Sequence, residues 1–499
     1  MTKTCLTMRT NERSVIHRMQ YHEVKSQKIT VSSVFSEMEG SFSNAGMQTR
    51  CLQRFDALTY TYQNCALIVS GGGVKKIVDL MRSYKLNRVI QEKGFSILYS
   101  ILRANEEVMS ELNRYEFIPI ILTALELHKT DVDLQVEVFE FIAKFRLVRG
   151  FHKEFLRYGG LRSFLGVISS NPTNRDLHVR GMRIVNSYAS DRFNAESLYN
   201  YGAVQLCLYM LKLYPSAIEE LQCDCVSVIG YIAKWNRWGN VIHSMLEMGV
   251  IEIVLESRRS LMLSSSEILQ PPWWFMIERI SCTREGLHRV LALGVMKLVV
   301  DNIHMDLSTR KVPNSCCRVF DAMVQFRTGR TAFIYDGGVD TIMACLKTFI
   351  RKKDRFQNEQ PRGMFFVYDF LKQCCRTLLC CSEDDDSNVK IMDLGGVVLL
   401  RKMMEYYADD VDLVNMGGKL LQMFEITQLN LENKNIAFAS GMKRDDGQNH
   451  VARLEQNLVW KIMEMADPSK PASGRNHGGD NMLHNPVYPG VEVGCIFEF

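Results

Sequence analysis

Three stretches carry residue types whose spacing could do chemistry. Gly71-Gly72-Gly73, followed by Lys75 and Lys76, combines glycines and cations that could cradle a phosphate. A phosphate loop joins a strand to a helix, however, and helical apolar spacing stands on both sides of this run. It reads as a helix–helix junction. Asp384, Asp386 and Asn388 match the first three ligand positions of a calcium loop, but Val389 and Gly395 stand where that loop needs Gly and Glu. Cys374, Cys375, Cys380 and Cys381 suggest zinc. On one helix Cys374 and Cys381 share a face about 10 Å apart along the axis. One zinc ion cannot take both at Zn–S distances of about 2.3 Å, so they read as buried thiols. His243 and His288 fall in helical segments with no ligand partner at i+4. Gly-x-Ser-x-Gly, His-Glu-x-x-His and Gly-x-x-x-x-Gly-Lys-Ser/Thr are absent, so no catalytic residue, metal or cofactor is assigned and no enzyme is expected.

The elements that would position such residues repeat. Phe151–Ile168 reads as a short helix, a break at Gly159-Gly160, and a second helix with Leu161, Phe164, Leu165 and Ile168 on one face. Equivalent junctions stand at Gly73-Val74, Glu116-Phe117, Ala203-Val204, Gly249-Val250, Gly294-Val295, Gly338-Val339, Gly396-Val397 and, faintly, Gly441-Met442. Through Val339 the starts lie 43 to 46 residues apart, a period that fits arrays of two- or three-helix repeats. Each unit opens with a polar residue, commonly Asn (Asn64, Asn105, Asn194, Asn240, Asn388, Asn435), which can accept a bond from the amides of the first turn. A third helix aligns in each unit, as in Phe139–Ala143, Val185–Ala189, Ile229–Ala233 and Phe320–Val324.

Totals narrow the class. At 499 residues the chain outgrows one globular core, and 11 Pro with 46% hydrophobic residues suit a helical array. A net charge of +4 gives no argument for nucleic acid. No apolar run approaches the roughly 18 residues of a membrane span. The N-terminus lacks the apolar core of a signal peptide, and its Thr and Arg leave a weak mitochondrial reading. The 15 cysteines have no regular spacing and read as reduced thiols of the cytosol or nucleus.

The pattern Asn-x-x-x-(apolar)-x-x-x-Gly-Gly-(apolar), then an apolar stripe, then (apolar)-x-x-(apolar)-small, resembles the armadillo repeat family over about residues 62–465. The resemblance implies an all-α solenoid, a right-handed superhelix of three-helix repeats whose third helices line a concave groove that binds extended polypeptide. Residues 1–28 read as a basic flexible arm and 29–61 as an atypical N-terminal capping repeat. Residues 62–430 hold the repeats, with an inserted loop near 351–361. A degenerate C-terminal cap over 431–466 and a disordered tail over 467–499 follow.

Members that carry nuclear-import cargo line this groove with an Asn ladder and a Trp one turn earlier. The matching rows here are Ser100, Phe141, Ser187, Tyr231, Arg279, Ala322 and Thr377, preceded by Ser96, Glu137, Arg183, Ser227, Phe275, Arg318 and Gln373. Neither row holds Asn or Trp. The groove candidates are Phe141, Arg183, Ser187, Tyr231, Phe275, Arg279, Arg318 and Ala322, where arginines beside aromatic faces suit an acidic or phosphorylated segment with apolar anchors. The expected partner is therefore protein, with no nucleic acid and no membrane insertion. The reading is a non-enzymatic scaffold or adaptor, with a nuclear-transport adaptor or a cytoskeletal or ciliary component as alternatives.

Overall fold

The computed structural model describes residues 15–40, 44–105, 107–145, 151–214, 219–235, 240–262, 270–308, 314–350, 361–383 and 385–443. Among them helices alternate with short turns and no strand occurs. Up to Met423 the described residues form an all-α solenoid of helical repeats. One complete unit runs Phe151–Arg157, Gly160–Ser170, Arg175–Ala189. Its second helix starts where a left-handed residue, Gly159 at φ 76°, turns the chain. Left-handed residues recur at Gly72, Glu116, Gly202, Gly249, Gly294, Gly337 and Gly395, one at each junction expected from the sequence up to Gly396. Gly160 is held for a second reason. A Cβ there would lie 2.5 Å from the Phe155 ring, so the first helix crosses the start of the second in close contact.

The second helix buries the stripe its spacing prescribes: Leu161, Phe164, Leu165 and Ile168 here, Val74, Ile77, Val78 and Met81 earlier, Val339, Ile342, Met343 and Leu346 later. Each such side chain contributes about 1.5–3 kcal/mol on leaving water. Third helices then pack directly on their successors, in the order Ala45–Leu58, Arg88–Ala104, Val132–Phe145, Arg175–Ala189, Glu219–Trp235, Gln270–Ser281, Asn314–Val324 and Pro361–Cys381. This layer positions the candidate site.

Polar residues join the helices inside each unit. Gln48, Gln91, Gln135 and Gln222 lie buried near the start of a third helix and donate through Nε2 to carbonyls at the end of the preceding second helix. His178 holds the same place, with Nε2 at 2.9 Å from the Asn171 carbonyl and Nδ1 at 3.1 Å from the Tyr214 hydroxyl. Asn105 accepts from the Glu107 amide at 2.9 Å, as expected of a unit-opening asparagine, but three others act differently from the expected caps. Asn64, Asn194 and Asn388 sit inside their helices and donate from Nδ2 to the carbonyls of Leu58, Tyr188 and Ser382, closing the end of the preceding third helix. The caps are Thr61 and Asp191, and Asn44, Asn87 and Asn174 cap third helices.

Two boundaries differ from expectation. Residues 15–26 are helical, and Lys28 at φ 55° precedes Val31–Gly40 and Ala45–Leu58. The first unit thus has three helices, and only residues 1–14 of the basic arm lie outside the described residues. Gly441 is helical within Val411–Lys443, so the faint ninth junction does not form. Residues up to Met423 make one compact unit, and Phe424 onward makes a second, described from 424 to 443 as a helix. Residues 351–360, the remainder of the cap (444–466) and the tail (467–499) lie outside the described residues.

The third-helix face as candidate functional site

Each third helix turns one side to the core and leaves the other half-buried or exposed. On Arg88–Ala104 the open side carries Lys93, Ser96, Tyr99 and Ser100, and on Arg175–Ala189 it carries Arg180, Arg183, Asn186 and Ser187. Polar bonds run across this face from one third helix to the next. Lys93 Nζ lies 2.8 Å from Asp56 Oδ2, and Ser96 Oγ donates to Asp56 Oδ1 at 2.7 Å. Arg180 pairs with Glu140, Arg183 Nη2 reaches Glu220 Oε2 at 2.5 Å, and Asn186 Nδ2 donates to Asp224 Oδ1 at 2.8 Å.

The residues picked from the sequence divide here. Arg183, Ser187, Tyr231, Phe275, Arg279 and Arg318 lie on the open face. Phe141 does not: it is fully buried, its ring 5.2 Å from that of Phe117 and 5.6 Å from that of Phe95. Ala322 is only 7% exposed and contributes little surface. The row that holds Phe141 also holds the open Ser187, Tyr231 and Arg279, but the Phe141 ring is large and apolar and turns in against Phe95 and Phe117. Three residues beyond the Ser96–Glu137–Arg183 row a second row also faces outward, since the helix falls short of a full turn by about 60° there and passes it by about 40° at four. Tyr99, Glu140, Asn186, Glu278 and Asp321 occupy that second row and are half-buried on the face. They were missed, although the 3.6-residue period contains them.

A continuous patch forms at the middle of the layer. The Tyr231 and Phe275 rings meet edge to face at 5.1 Å, and the Arg279 guanidinium lies 5.4 Å from the Phe275 centroid. Lys234 Nζ sits 4.1 Å above Trp235, whose Nε1 donates to the Ser190 carbonyl. Glu278 pairs with Arg279 and feels Arg318 and Lys234 nearby. Burial nevertheless pushes the Glu278 carboxyl above the ordinary range, and burial does the same to Asp321. Asp224 is raised to about 6, first by burial, with Asn186 and Arg183 opposing. Trp273 and Trp274 are core residues, 2% exposed, and Trp238 lies outside the described residues.

The other chemical candidates fall into structural roles. Gly72, at φ 74°, joins helices Tyr62–Ser70 and Gly73–Ser83. Asp386 and Asn388 lie within helix Asp385–Asp393, and Asp384 is outside the described residues. Cys374, Cys375 and Cys381 are buried on Pro361–Cys381. The expectation for His243 needs correction, because Glu247 stands at i+4 with its carboxylate 3.3 Å from Nε2, while Glu285 lies 2.7 Å from Nδ1. Among the described residues no group of three or more His, Cys, Asp or Glu could hold a metal ion, and no helix is long and apolar enough to cross a membrane.

No family model matches the chain. Among solved structures, one described as an engineered protein is similar with a TM-score of 0.42 and 15% identity, over 54% of this chain and 97% of that one. A second, described as a conserved phosphorylation switch controlling the interaction between cadherin and beta-catenin, is similar with a TM-score of 0.46 and 13% identity, over 81% of this chain and 96% of that one. These scores carry no functional weight. The fold rests on the helix order and the left-handed junctions.

Proposed function

We propose that the protein is a non-enzymatic scaffold that binds an extended polypeptide segment along its third-helix face. The observation that carries this reading is the patch of Tyr231, Lys234, Phe275, Arg279 and Arg318. There, half-buried aromatic rings lie beside three cations, with the carboxylates of Glu278 and Asp321 among them. Such a surface suits an acidic or phosphorylated segment with apolar anchors, because guanidinium groups bind carboxylate and phosphate in a fixed fork and aromatics supply anchoring area. Arg183 plays a smaller part than its place in the row suggests, since Glu220 already holds it. The charge pattern argues against the basic cargo of a nuclear-transport adaptor.

The test is a titration of a purified partner, obtained by affinity capture and mass spectrometry, against wild type and the Arg183→Glu/Arg279→Glu/Arg318→Glu variant. Loss of a desolvated charged contact costs on the order of 2–5 kcal/mol. The variant should lose binding and keep its helical circular dichroism. Equal affinities would place the binding surface elsewhere on the molecule.

A further inference from the structure

Two carboxylates stand inside the cation patch. Glu278 pairs with Arg279 on its own helix, and it also faces Lys234 from Glu219–Trp235 and both Arg318 and Asp321 from Asn314–Val324. Asp321 in turn faces Gln373, Arg376 and Cys380 on Pro361–Cys381. These four third helices pack one on the next, so the charges interleave across a single stretch of the face. None of the six is sealed from water: Arg318 and Arg376 are exposed, and Lys234, Glu278, Arg279 and Asp321 are half-buried. The cations thus meet carboxylates of their own chain before they meet a ligand. An anionic side chain arriving here must share the guanidinium groups with Glu278 and Asp321 and is repelled by both.

Resting on the binding face read above, we propose that Glu278 and Asp321 are built-in competitors for the anionic side chains of the bound segment, and that their protonation in mild acid frees the cations and tightens binding. Proton linkage fixes the direction. Burial already holds both carboxyls above the ordinary range, while Lys234 and the three arginines stay charged throughout. A seated anion takes part of the cationic field and adds a like charge, which pushes the two carboxyls higher still. Binding therefore takes up protons. Affinity rises as pH falls toward the carboxyl range and levels off once both groups are protonated in the free protein. The 11 histidines of the chain also gain charge on this descent, so the effect must be shown to depend on the two carboxyls.

The experiment uses the full chain and a rhodamine-labelled twelve-residue peptide carrying two cysteic acids on either side of a central Leu. Its sulfonates stay ionised between pH 5.5 and 7.5, so pH acts on the protein alone. Fluorescence anisotropy at constant ionic strength gives the affinity. Wild type should bind about tenfold more tightly at pH 5.5 than at pH 7.5. Glu278→Gln/Asp321→Asn, close in shape and neutral, should bind at pH 7.5 about as tightly as wild type does at pH 5.5, and should lose the pH dependence. The wild-type series needs no variant, and a flat wild-type affinity overturns the proposal. It is also overturned if the neutral variant keeps the whole gain in acid, which would then belong to the histidines. Failure of the underlying face is separately visible. In that case Arg279→Glu/Arg318→Glu would leave the affinity unchanged at both pH values, or the peptide would not bind wild type at millimolar concentration at either.

Discussion

Asp224 shows how burial sets the energetics of one side chain on this face. Its folded-state pKa of about 6 lies above the ordinary aspartate value of about 4, so the folded chain binds more protons than the unfolded chain between those limits. Stability at this site is therefore present below about pH 4 and lost as pH rises through about 6. Asp224→Asn should raise the melting temperature at pH 7.5, by the equivalent of about 1–2 kcal/mol after solvent screening, and leave it unchanged near pH 3.5. Thermal unfolding of the two proteins at both pH values measures this. An equal effect at both would mean that the charge has nothing to do with it. The residue scale is also where the sequence was least legible. Phe141 looked like a groove residue because it aligned with Ser187 and Tyr231, yet its apolar ring turns in to pack on Phe95 and Phe117 instead of facing out. Alignment of repeats cannot make that choice, whereas burial can. Asn64, Asn194 and Asn388 misled in another way, since their side chains donate backward to the preceding helix, whereas Asn105 accepts from a forward amide as expected.

At the scale of the element, the junction is the unit's defining feature, and it was readable because glycine is the residue that reaches positive φ without strain. Glu116 is the exception that tests this account: it occupies the junction at φ 48° with a full side chain. Glu116→Gly should stabilise the protein by about 0.5–1 kcal/mol, the relief of left-handed strain exceeding the added freedom of the unfolded chain. Gly159→Ala, at φ 76° with open space around its Cβ, should destabilise by about 1 kcal/mol through backbone strain alone. Chemical denaturation of the two variants checks both signs, and a destabilised Glu116→Gly would show that the side chain holds the turn by contacts. Gly441 shows the limit of the motif, since the helix from Val411 to Lys443 continues through it. The second-helix stripes were legible in full because a buried stripe must repeat with the helix period. The clamping glutamines were not singled out, since a lone Gln near a helix start has no distinctive spacing until the repeats are laid over one another.

Across the molecule, contacts run mainly between neighbouring units, as expected for a stack in which each repeat cannot bury its own core alone. Leu165→Ala in the Gly160–Ser170 stripe should cost about 2–5 kcal/mol, and the loss should be felt first in its own unit and the adjoining ones. Hydrogen exchange should show protection falling from Phe151 to Leu213 before it falls in the Asn314–Val324 helix. Uniform loss would contradict nearest-neighbour coupling. The same stacking makes the third-helix face continuous, and the central claim is that this face holds the partner. Site-specific photo-crosslinking tests it most directly. A benzophenone amino acid is placed at Phe275 on the face, or at Tyr62, a 71% exposed position on the first helix Tyr62–Ser70, and each protein is irradiated with the purified partner. Crosslinks from position 275, mapped to one extended segment of the partner, with none from position 62, are the predicted result. Crosslinks from 62 with none from 275 would contradict the account.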